Sequence, residues 1–259
     1  MVDGLEMERD GEIAWLRLAR PGKHNAVSLD MWSAIPQVVH EVEADPAVTA
    51  LMITGKGEHF SAGADIGEFR TLRSDAEGAA RYDKAVQAAV EALSEMVKPS
   101  IAVIRGNCIG GGCQISVACD FRFASDTARF GITPAKLGIV YDYRSTRQLV
   151  ALVGPAHARY LLLSALLVDA RRAKEMGLVN ETVGDAELED TARSFAETLA
   201  SRSQFAIRGM NRTITKITEG LAEPDEEAER LRADAVTGMD YAEGVSAFLE
   251  RRTPRFPYR

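Results

Sequence analysis

A run of three glycines, Gly110-Gly-Gly112, constrains the fold of this chain more than any other stretch. It follows the short apolar segment Ser100–Ile104, which is typical of a buried strand, and it precedes Ile115–Cys119, which is apolar enough for a packed helix. Glycine lets the backbone turn sharply and lets another group approach it closely. N–H groups in the first turn of a helix lack intrahelical partners and lie at the positive end of its dipole. The junction therefore predicts either a site for an anion or an oxyanion, or a tight turn that needs glycine for packing alone.

A second loop of the same character follows the apolar run Val48–Thr54. It reads Phe60-Ser-Ala-Gly-Ala-Asp-Ile66 and also presents flexible backbone after a buried strand. An oxyanion hole requires two convergent N–H donors. The pair of loops therefore favours such a hole.

Strand and helix patterns alternate through the N-terminal part of the chain. Ile13–Leu18, after an Asp-Gly turn, predicts the second strand of a hairpin. Ser28 predicts the N-cap of a helix through about residue 43, with a kink or a break at Pro36. A helical pattern extends from Asp75 to Val97. The recurrence of strand, loop, helix and strand predicts an α/β core of stacked β-β-α turns.

Beyond residue 145 the pattern becomes largely helical. From Leu188 onward it is charged amphipathic helix with breaks near Ser201, Gly220 and Gly238. We place a boundary near residue 200, between a core at 1–200 and a helical tail at 201–259. A helical tail with an apolar face and no partner in its own domain often packs on a neighbouring subunit, so we expect a homo-oligomer.

Composition and charge narrow the class of protein. The 31 basic and 38 acidic side chains give a net charge of −7, which argues against wholesale nucleic-acid binding. No apolar run approaches the roughly 18 residues of a membrane span, and the acidic N-terminus lacks a signal-peptide pattern. Cys108, Cys113 and Cys119 match no zinc spacing, and their odd number argues against a disulfide framework. We interpret them as small buried side chains in a reducing compartment and predict a cytoplasmic protein without a metal site.

Five short motifs extend the pattern of the two glycine loops along most of the chain. They are Arg20-Pro-Gly-Lys-His-Asn-Ala-Val-Ser28, Phe60-Ser-Ala-Gly-Ala-Asp-Ile66, Gly106-Asn-Cys-Ile-Gly-Gly-Gly-Cys113, Ala118-Cys-Asp-Phe-Arg-Phe-Ala124 and Ala173-Lys-Glu-Met-Gly-Leu-Val179. In this order they resemble the enoyl-CoA hydratase/isomerase (crotonase) superfamily. The resemblance implies a crotonase-type (ClpP/crotonase) spiral of β-β-α turns with a C-terminal helical trimerisation region. It also implies trimers that often pair into hexamers, and acyl-CoA thioester substrates, with coenzyme A part of the substrate rather than a separate cofactor.

The resemblance also implies roles for residues of the two loops. The backbone N–H groups of Ala64 and Gly111 would be the oxyanion-hole donors, holding the thioester oxygen as it becomes an enolate. Lys23, Ala26 and the loop Ala62–Ile66, which includes Asp65, would line the path of the pantetheine and adenine, and Gly110 and Pro134 complete the predicted substrate-binding set. Lys23 would either approach a phosphate or be an exposed loop lysine. Asp65 would either line the path or stabilise its loop as a helix cap.

Two positions depart from the family's pattern. The hydratases of the family use two glutamates for acid/base work, and this chain has Gln114 and Pro134 at the matching positions. Neither side chain can take and return a proton near neutral pH. Hydration by the two-glutamate mechanism is therefore not expected.

A carboxylate appears eight residues after Pro134, at Asp142. It matches the position of the acid/base or nucleophilic aspartate in some isomerases and in the aryl-CoA dehalogenase of the superfamily. The dehalogenase has a tryptophan where this chain has Pro134, which argues against dehalogenation. Asp142 is predicted to be either the catalytic acid/base, an ion-pair partner of Arg144 or Arg147, or both.

Two further side chains are weaker candidates. Glu68 lies near the expected start of the helix that covers the pocket, where it would either face the substrate or serve the fold. Tyr82, on that helix, would either line the acyl pocket or pack in the core.

Four functions remain open from the sequence. The first is double-bond isomerisation of an enoyl-CoA with Asp142 as the single acid/base. The second is hydration of a 2-enoyl-CoA with Asp142, and with Glu68 as a further candidate, replacing the lost glutamates. The third is a non-catalytic acyl-CoA-binding protein, and the fourth is hydrolysis of a carbon–carbon bond in a β-diketone. The two glycine loops argue against the third.

Overall fold

A computed structural model describes residues 2–258. Its strands are β1 (Leu5–Asp10), β2 (Ile13–Leu18), β3 (Ala50–Gly55), β4 (Ser100–Ile104), β5 (Asn107–Ile109), β6 (Phe121–Ser125), β7 (Arg129–Gly131), β8 (Val168–Asp169) and β9 (Glu181–Val183). Its α-helices are α1 (Leu29–Ala44), α2 (Phe69–Leu72), α3 (Ala76–Ser94), α4 (Gly111–Ala118), α5 (Tyr143–Ser164), α6 (Ala170–Glu175), α7 (Leu188–Ala200), α8 (Gln204–Thr218), α9 (Glu226–Thr237) and α10 (Met239–Glu250).

Two sheets organise the core. The larger has the strand order β1-β2-β3-β4-β6-β9, antiparallel between β1 and β2 and parallel elsewhere. The smaller has the order β5-β7-β8. Because parallel strands need long crossovers, helices α1, α3 and α4 follow successive strands. The predicted α/β spiral of β-β-α turns is confirmed.

The larger sheet is buried on both faces, which is why its central strands read as continuous apolar runs. In β4, Ile101 and Val103 pack with α7, whereas Ala102 and Ile104 face the opposite layer, which contains α1, α3 and α4. Successive side chains of a strand point to opposite faces, so each strand contributes to both parts of the core.

The predicted local elements are present, with one correction. The hairpin β1–β2 forms as expected. The Ser28 side chain accepts a hydrogen bond from the Met31 N–H and so caps α1. The expected break at Pro36 is wrong, because α1 continues from Leu29 to Ala44. Buried side chains on both sides of the proline, among them Ile35 and Val38, hold that helix against the core.

The C-terminal helices α8 to α10 lie against the core and also expose apolar side chains. The Asn211 amide donates to the carbonyl of Met96 over 3.2 Å, and Ala247 is fully buried. Met210, Ile214 and Phe248 on the same helices are more than half exposed. The division at residue 200 and the oligomerising role of the tail stay predictions. In the part of the chain that is described, no helix is long and apolar enough to cross a bilayer.

Candidate active site

The two glycine loops meet beside strand β5. The Ser61 N–H donates to the carbonyl of Asn107 over 2.9 Å, and the Ile109 N–H donates to the carbonyl of Ser61 over 2.9 Å. These parallel contacts carry the first loop along β5 to the start of α4. The loop after β3 and the N-terminus of α4 therefore form one wall of a single cleft.

Ala64 and Gly111 lie opposite each other across this junction. A Cβ on Gly111 would lie 3.2 Å from the amide nitrogen of Ala64, so the two backbones are in contact. The neighbouring amides are occupied, since Asp65 donates to the Val27 carbonyl and Gly110 donates to the Gly131 carbonyl. Within residues 2–258, neither the Ala64 N–H nor the Gly111 N–H has a hydrogen-bond acceptor outside α4. Gly111 is the first residue of α4, so its N–H has no intrahelical acceptor either. The site thus has two free N–H groups on adjoining segments.

Glycine is required at this junction for close packing and for backbone conformation. Gly63 has a φ of 99°, and a Cβ there would lie 2.8 Å from the Ile109 carbonyl oxygen. A Cβ on Gly111 would lie 2.9 Å from Cζ2 of Trp32. Gly110, with a φ of 51°, turns the chain into α4. The glycines therefore allow the close approach of the two loops.

Asp142 lines the cleft, and its carboxylate accepts hydrogen bonds from two groups. Its Oδ1 accepts a hydrogen bond from the Ser145 N–H over 2.9 Å, which caps α5. Its Oδ2 accepts a 2.8 Å hydrogen bond from the Gln114 amide, which also donates to the Ser145 hydroxyl over 2.8 Å. Gln114 is almost fully buried on α4. The same helix thus carries a free backbone N–H at its first residue and orients the carboxylate through its fourth.

The alternative ion pair of Asp142 with Arg144 or Arg147 is wrong. The Arg144 guanidinium contacts Glu91, Glu95 and Glu219, at 2.8, 3.1 and 3.3 Å. Arg147 also pairs with Glu219, at 3.3 Å. Both arginines follow Asp142 on α5, but the helix directs their side chains away from the cleft. The carboxylate of Asp142 is left facing Gln114.

Asp65 stabilises its own loop. Its Oδ2 contacts the Arg20 guanidinium at 2.9 Å and the Lys23 ammonium at 2.8 Å, and its Oδ1 accepts from the Gly67 N–H. These hydrogen bonds and charges, Lys23 foremost, hold the pKa of Asp65 below its ordinary value. Arg20 also donates to the carbonyl of Ala26 over 2.8 Å. Lys23, Ala26 and Asp65 thus form a cluster beside the lining of the cleft, and their contact with coenzyme A stays a prediction.

Glu68 does not face the cleft, which corrects one expectation. Its Oε2 accepts a hydrogen bond of 2.9 Å from the Leu29 N–H, the first amide of α1. A carboxylate at the start of a helix satisfies a free donor and complements the dipole. Glu68 therefore serves the fold.

The cleft has a volume of about 690 Å³. Of the predicted residues, its lining includes Ala62, Ala64, Ile66, Gly110, Gly111, Pro134 and Asp142, together with Gln114 and Tyr82. Sequence reasoning missed Trp32, Arg73, Asp83 and Tyr141, which also line it. The helical pattern of 75–97 was visible, but a pattern does not say which polar residues of a helix border a cavity.

Two buried polar groups beside the cleft, the Trp32 indole nitrogen and the Tyr82 hydroxyl, interact with each other. The Trp32 indole nitrogen and the Tyr82 hydroxyl are each inaccessible to water and have no hydrogen bond of normal geometry among the described residues. Burial, and next the negative charge of Glu68, raise the pKa of Tyr82 well above its ordinary value. The phenol is therefore neutral at physiological pH and able to donate a hydrogen bond.

The fold and the cleft together define a protein of the crotonase class. A solved enoyl-CoA hydratase/isomerase family protein from Hyphomonas neptunium is 36% identical, with a TM-score of 0.96 over 99% of this chain and 98% of its own. An enoyl-CoA hydratase from Bacillus anthracis is 27% identical, with a TM-score of 0.91 over 99% of this chain and 100% of its own. The model of the enoyl-CoA hydratase/isomerase family matches residues 8–259. The chain belongs to this family and is an enzyme of the hydratase/isomerase type.

Curated relatives carry both activities in their names. A crotonyl-CoA hydratase from Syntrophomonas wolfei is 35% identical over 98% of this chain and 98% of its own length. A peroxisomal Δ(3,5)-Δ(2,4)-dienoyl-CoA isomerase from Arabidopsis thaliana is 31% identical over 95% of this chain and 93% of its own length. The choice between hydration and isomerisation therefore depends on the residues of the cleft.

Proposed function

We propose that this enzyme moves a double bond within an enoyl-CoA thioester, with Asp142 as the single acid/base. The observation that supports this is the pair formed by Gln114 and Asp142 over 2.8 Å. Gln114 occupies the matching position of one hydratase glutamate and, as an amide, exchanges no proton. The group that it orients, Asp142, is a carboxylate on the wall of the cleft.

The proposed reaction needs one proton shuttle and no water. The thioester oxygen accepts hydrogen bonds from the Ala64 and Gly111 N–H groups. Asp142 removes a proton from the α-carbon of a 3-enoyl thioester, and the electron pair moves into the enolate. The double bond then shifts toward the thioester as the γ-carbon takes a proton from the protonated Asp142, whose carboxyl proton exchanges with the solvent while the enolate persists. One carboxylate with a fixed orientation serves both transfers, and each donor of the hole typically contributes about 3 kcal/mol of transition-state binding.

The test is an assay in deuterated water of 2-enoyl, 3-enoyl and saturated acyl-CoA thioesters, read by mass spectrometry. Wild type is compared with Asp142→Asn, in which the side-chain oxygen still caps α5, because Asn and Asp cap helices about equally well. We expect deuterium uptake and double-bond migration in wild type and their loss in the variant. Double-bond migration that survives in Asp142→Asn would refute the role of Asp142.

Hydration of a 2-enoyl-CoA is the second candidate, favoured by the name of the crotonyl-CoA hydratase relative. Hydration needs one group to activate water and one to protonate the α-carbon. Asp142 supplies one such group, whereas Glu68 is bound to the Leu29 amide. The same assay separates the two reactions, since hydration adds the mass of one D2O whereas isomerisation adds only the mass of the deuterium taken up. Binding without exchange would favour a non-catalytic acyl-CoA-binding protein, and turnover of a β-diketone without coenzyme A would favour the hydrolase.

We also propose that the protein is cytoplasmic and forms a homo-oligomer, a trimer or a dimer of trimers, through the tail 201–259. The support is the apolar surface of the last three helices, which includes Met210, Ile214, Ile217, Val236, Met239, Phe248 and Leu249. Sedimentation equilibrium of wild type and of Phe248→Glu tests this proposal. We expect the substitution to shift the wild-type oligomer toward monomer, and a monomeric wild type would refute it.

A further inference from the structure

One wall of the cleft carries a cation whose hydrogen-bonding capacity is largely unused. Arg73, at the end of α2, lines the cleft with its side chain 19% exposed. The guanidinium carbon lies 4.8 Å from the centre of the Phe69 ring and 5.5 Å from that of Tyr82. Both rings also line the cleft and pack edge to face, 5.2 Å apart. The arginine is therefore held against an aromatic wall rather than extended into solvent.

Asp83, the acidic residue beside Arg73, contacts its guanidinium through a single pair of atoms. Nη2 of Arg73 contacts Oδ1 of Asp83 at 3.1 Å, and the Asp83 side chain is 51% exposed. A half-exposed single contact of this kind contributes little to stability. A guanidinium presents five N–H donors in a planar fork that matches a carboxylate bidentately. Within residues 2–258, no other acidic group pairs with Arg73.

A second, independent feature on the same wall is the buried Tyr82 hydroxyl. The Trp32 indole N–H interacts with its oxygen but can only donate, so the hydroxyl has no acceptor for its own proton among the described residues. Its high pKa keeps it protonated and so able to donate to an anion. Phe69, Arg73 and Tyr82 thus combine an apolar surface with one cationic and one neutral donor.

We propose that the acyl group of the substrate ends in a carboxylate, which Arg73 and the Tyr82 hydroxyl bind inside the cleft. The substrate class is then the mono-CoA thioester of an unsaturated dicarboxylic acid. This inference depends on the proposed function only for the acyl-CoA nature of the substrate. The aliphatic part of the chain would cross the apolar lining between the oxyanion donors and Arg73.

The test measures binding rather than turnover. Dissociation constants are determined by calorimetry for succinyl-, glutaryl- and adipyl-CoA, each paired with the uncharged butyryl-, valeryl- or hexanoyl-CoA of the same length. Coenzyme A contacts are common to both members of a pair. The ratio of the dissociation constant of the uncharged member to that of the carboxylated member therefore reports the terminal carboxylate alone. Charged hydrogen bonds predict that wild type prefers the carboxylated member by about tenfold or more at one length.

Three variants test whether the wall of Phe69, Arg73 and Tyr82 causes the preference for the carboxylated thioester. Arg73→Met should bring the ratio within about twofold of unity, and Tyr82→Phe, which keeps the ring, should reduce it several-fold. Arg70→Met is the matched control, because Arg70 is exposed on the same short helix and does not line the cleft. It should leave the ratio as in wild type. The ratio is taken within each protein, so a change in the folded fraction cancels.

Several outcomes would overturn the inference. They are a wild-type ratio near or below unity at all three lengths, or a preference that Arg73→Met leaves intact. Loss of the preference in Lys136→Met alone would also overturn it, by moving the carboxylate to the other cation of the lining. The proposed function has its own readout, since absence of deuterium exchange in enoyl thioesters would refute enolate chemistry whatever the binding ratios show.

Discussion

The side-chain amide of Gln114 donates a 2.8 Å hydrogen bond to Oδ2 of Asp142, and the two residues lie 28 positions apart in the chain. The contact joins α4, whose first residue is Gly111, to the residue that caps α5. The Gly111 N–H and the Asp142 carboxylate are therefore both positioned by the one helix α4. Displacing a reacting group by about 1 Å can cost 10²-fold in rate. Mutation of Gln114 therefore tests whether its hydrogen bond positions the Asp142 carboxylate.

Truncation of Gln114 should lower the rate of isomerisation without removing the base. In Gln114→Ala, Asp142 keeps its bond to the Ser145 N–H but loses the donor that orients Oδ2. We expect kcat to fall by about 100-fold with KM changed much less, measured with a 3-enoyl-CoA. Gln37→Ala is the control, since Gln37 is exposed on α1 and its side-chain amide donates to Glu41, away from the cleft. An unchanged kcat in Gln114→Ala would show that the hydrogen bond does not position the base.

Replacement of Gln114 by glutamate should change the pH profile. The variant would place two carboxylates within hydrogen-bond distance, where one proton is shared and one apparent pKa of the pair rises. We expect the acidic limb of the pH profile of kcat/KM to move upward by about one unit or more. An unshifted limb would indicate that residue 114 is not coupled to the catalytic carboxylate.

A methyl group at Gly111 should separate the two proposed oxyanion donors, the Ala64 and Gly111 N–H groups. The Cβ of Gly111→Ala would lie 2.9 Å from Cζ2 of Trp32 and 3.2 Å from the Ala64 nitrogen, so one of the two segments must shift. Loss of one donor predicts a fall in kcat of about 10²- to 10³-fold. Gly22→Ala is the control, because a Cβ there meets no atom within 4 Å. Equal activity of the two variants would contradict an oxyanion role for this junction.

The Asp65 cluster should contribute a pH-dependent part of the stability. The folded state lowers the pKa of Asp65 below its ordinary 3.8, so the ionised form is favoured on folding. The stabilisation is therefore complete above pH ~4 and is lost as the pH falls through the folded-state pKa. We expect Asp65→Asn to cost about 3 kcal/mol at pH 7, because it leaves Arg20 half-buried without its anion.

Urea unfolding of wild type and Asp65→Asn, followed from pH 7 to pH 3, measures this difference. The gap in the free energy of unfolding should narrow as the pH falls below 4. A gap that stays constant over the whole range would show that the ionisation of Asp65 does not stabilise the fold.

The three cysteines should be inert toward thiol reagents in the native protein. Burial raises the pKa of Cys119 to about 12, and burial likewise raises the pKa of Cys108. Cys113 is buried as well and donates to the Cys108 carbonyl. The thiolate is the reactive form. We expect no reaction with an aromatic disulfide reagent at pH 8 and reaction of all three thiols in denaturant. Rapid native labelling of one thiol would contradict this burial.

Much of the fold follows from local sequence because its causes are local. Ser28 and Asp75 cap the helices that they were predicted to begin, since a capping side chain bonds an amide two or three residues ahead. The glycines at 110–112 mark the start of α4 because backbone dihedrals and close approach are short-range demands. Pro36 is the exception, since burial of the flanking side chains outweighs its local preference.

The sequence by itself determined which residue types stand at the two loops and which family they resemble, because those patterns lie within short stretches. Only the tertiary structure decided that Asp142 contacts Gln114 rather than an arginine, that Glu68 accepts from the first amide of α1, and that Arg73 and Asp83 border the cleft. These contacts join residues far apart in the chain. Which pairs form depends on how the spiral stacks its turns, since the packing of whole helices sets the direction in which each side chain points.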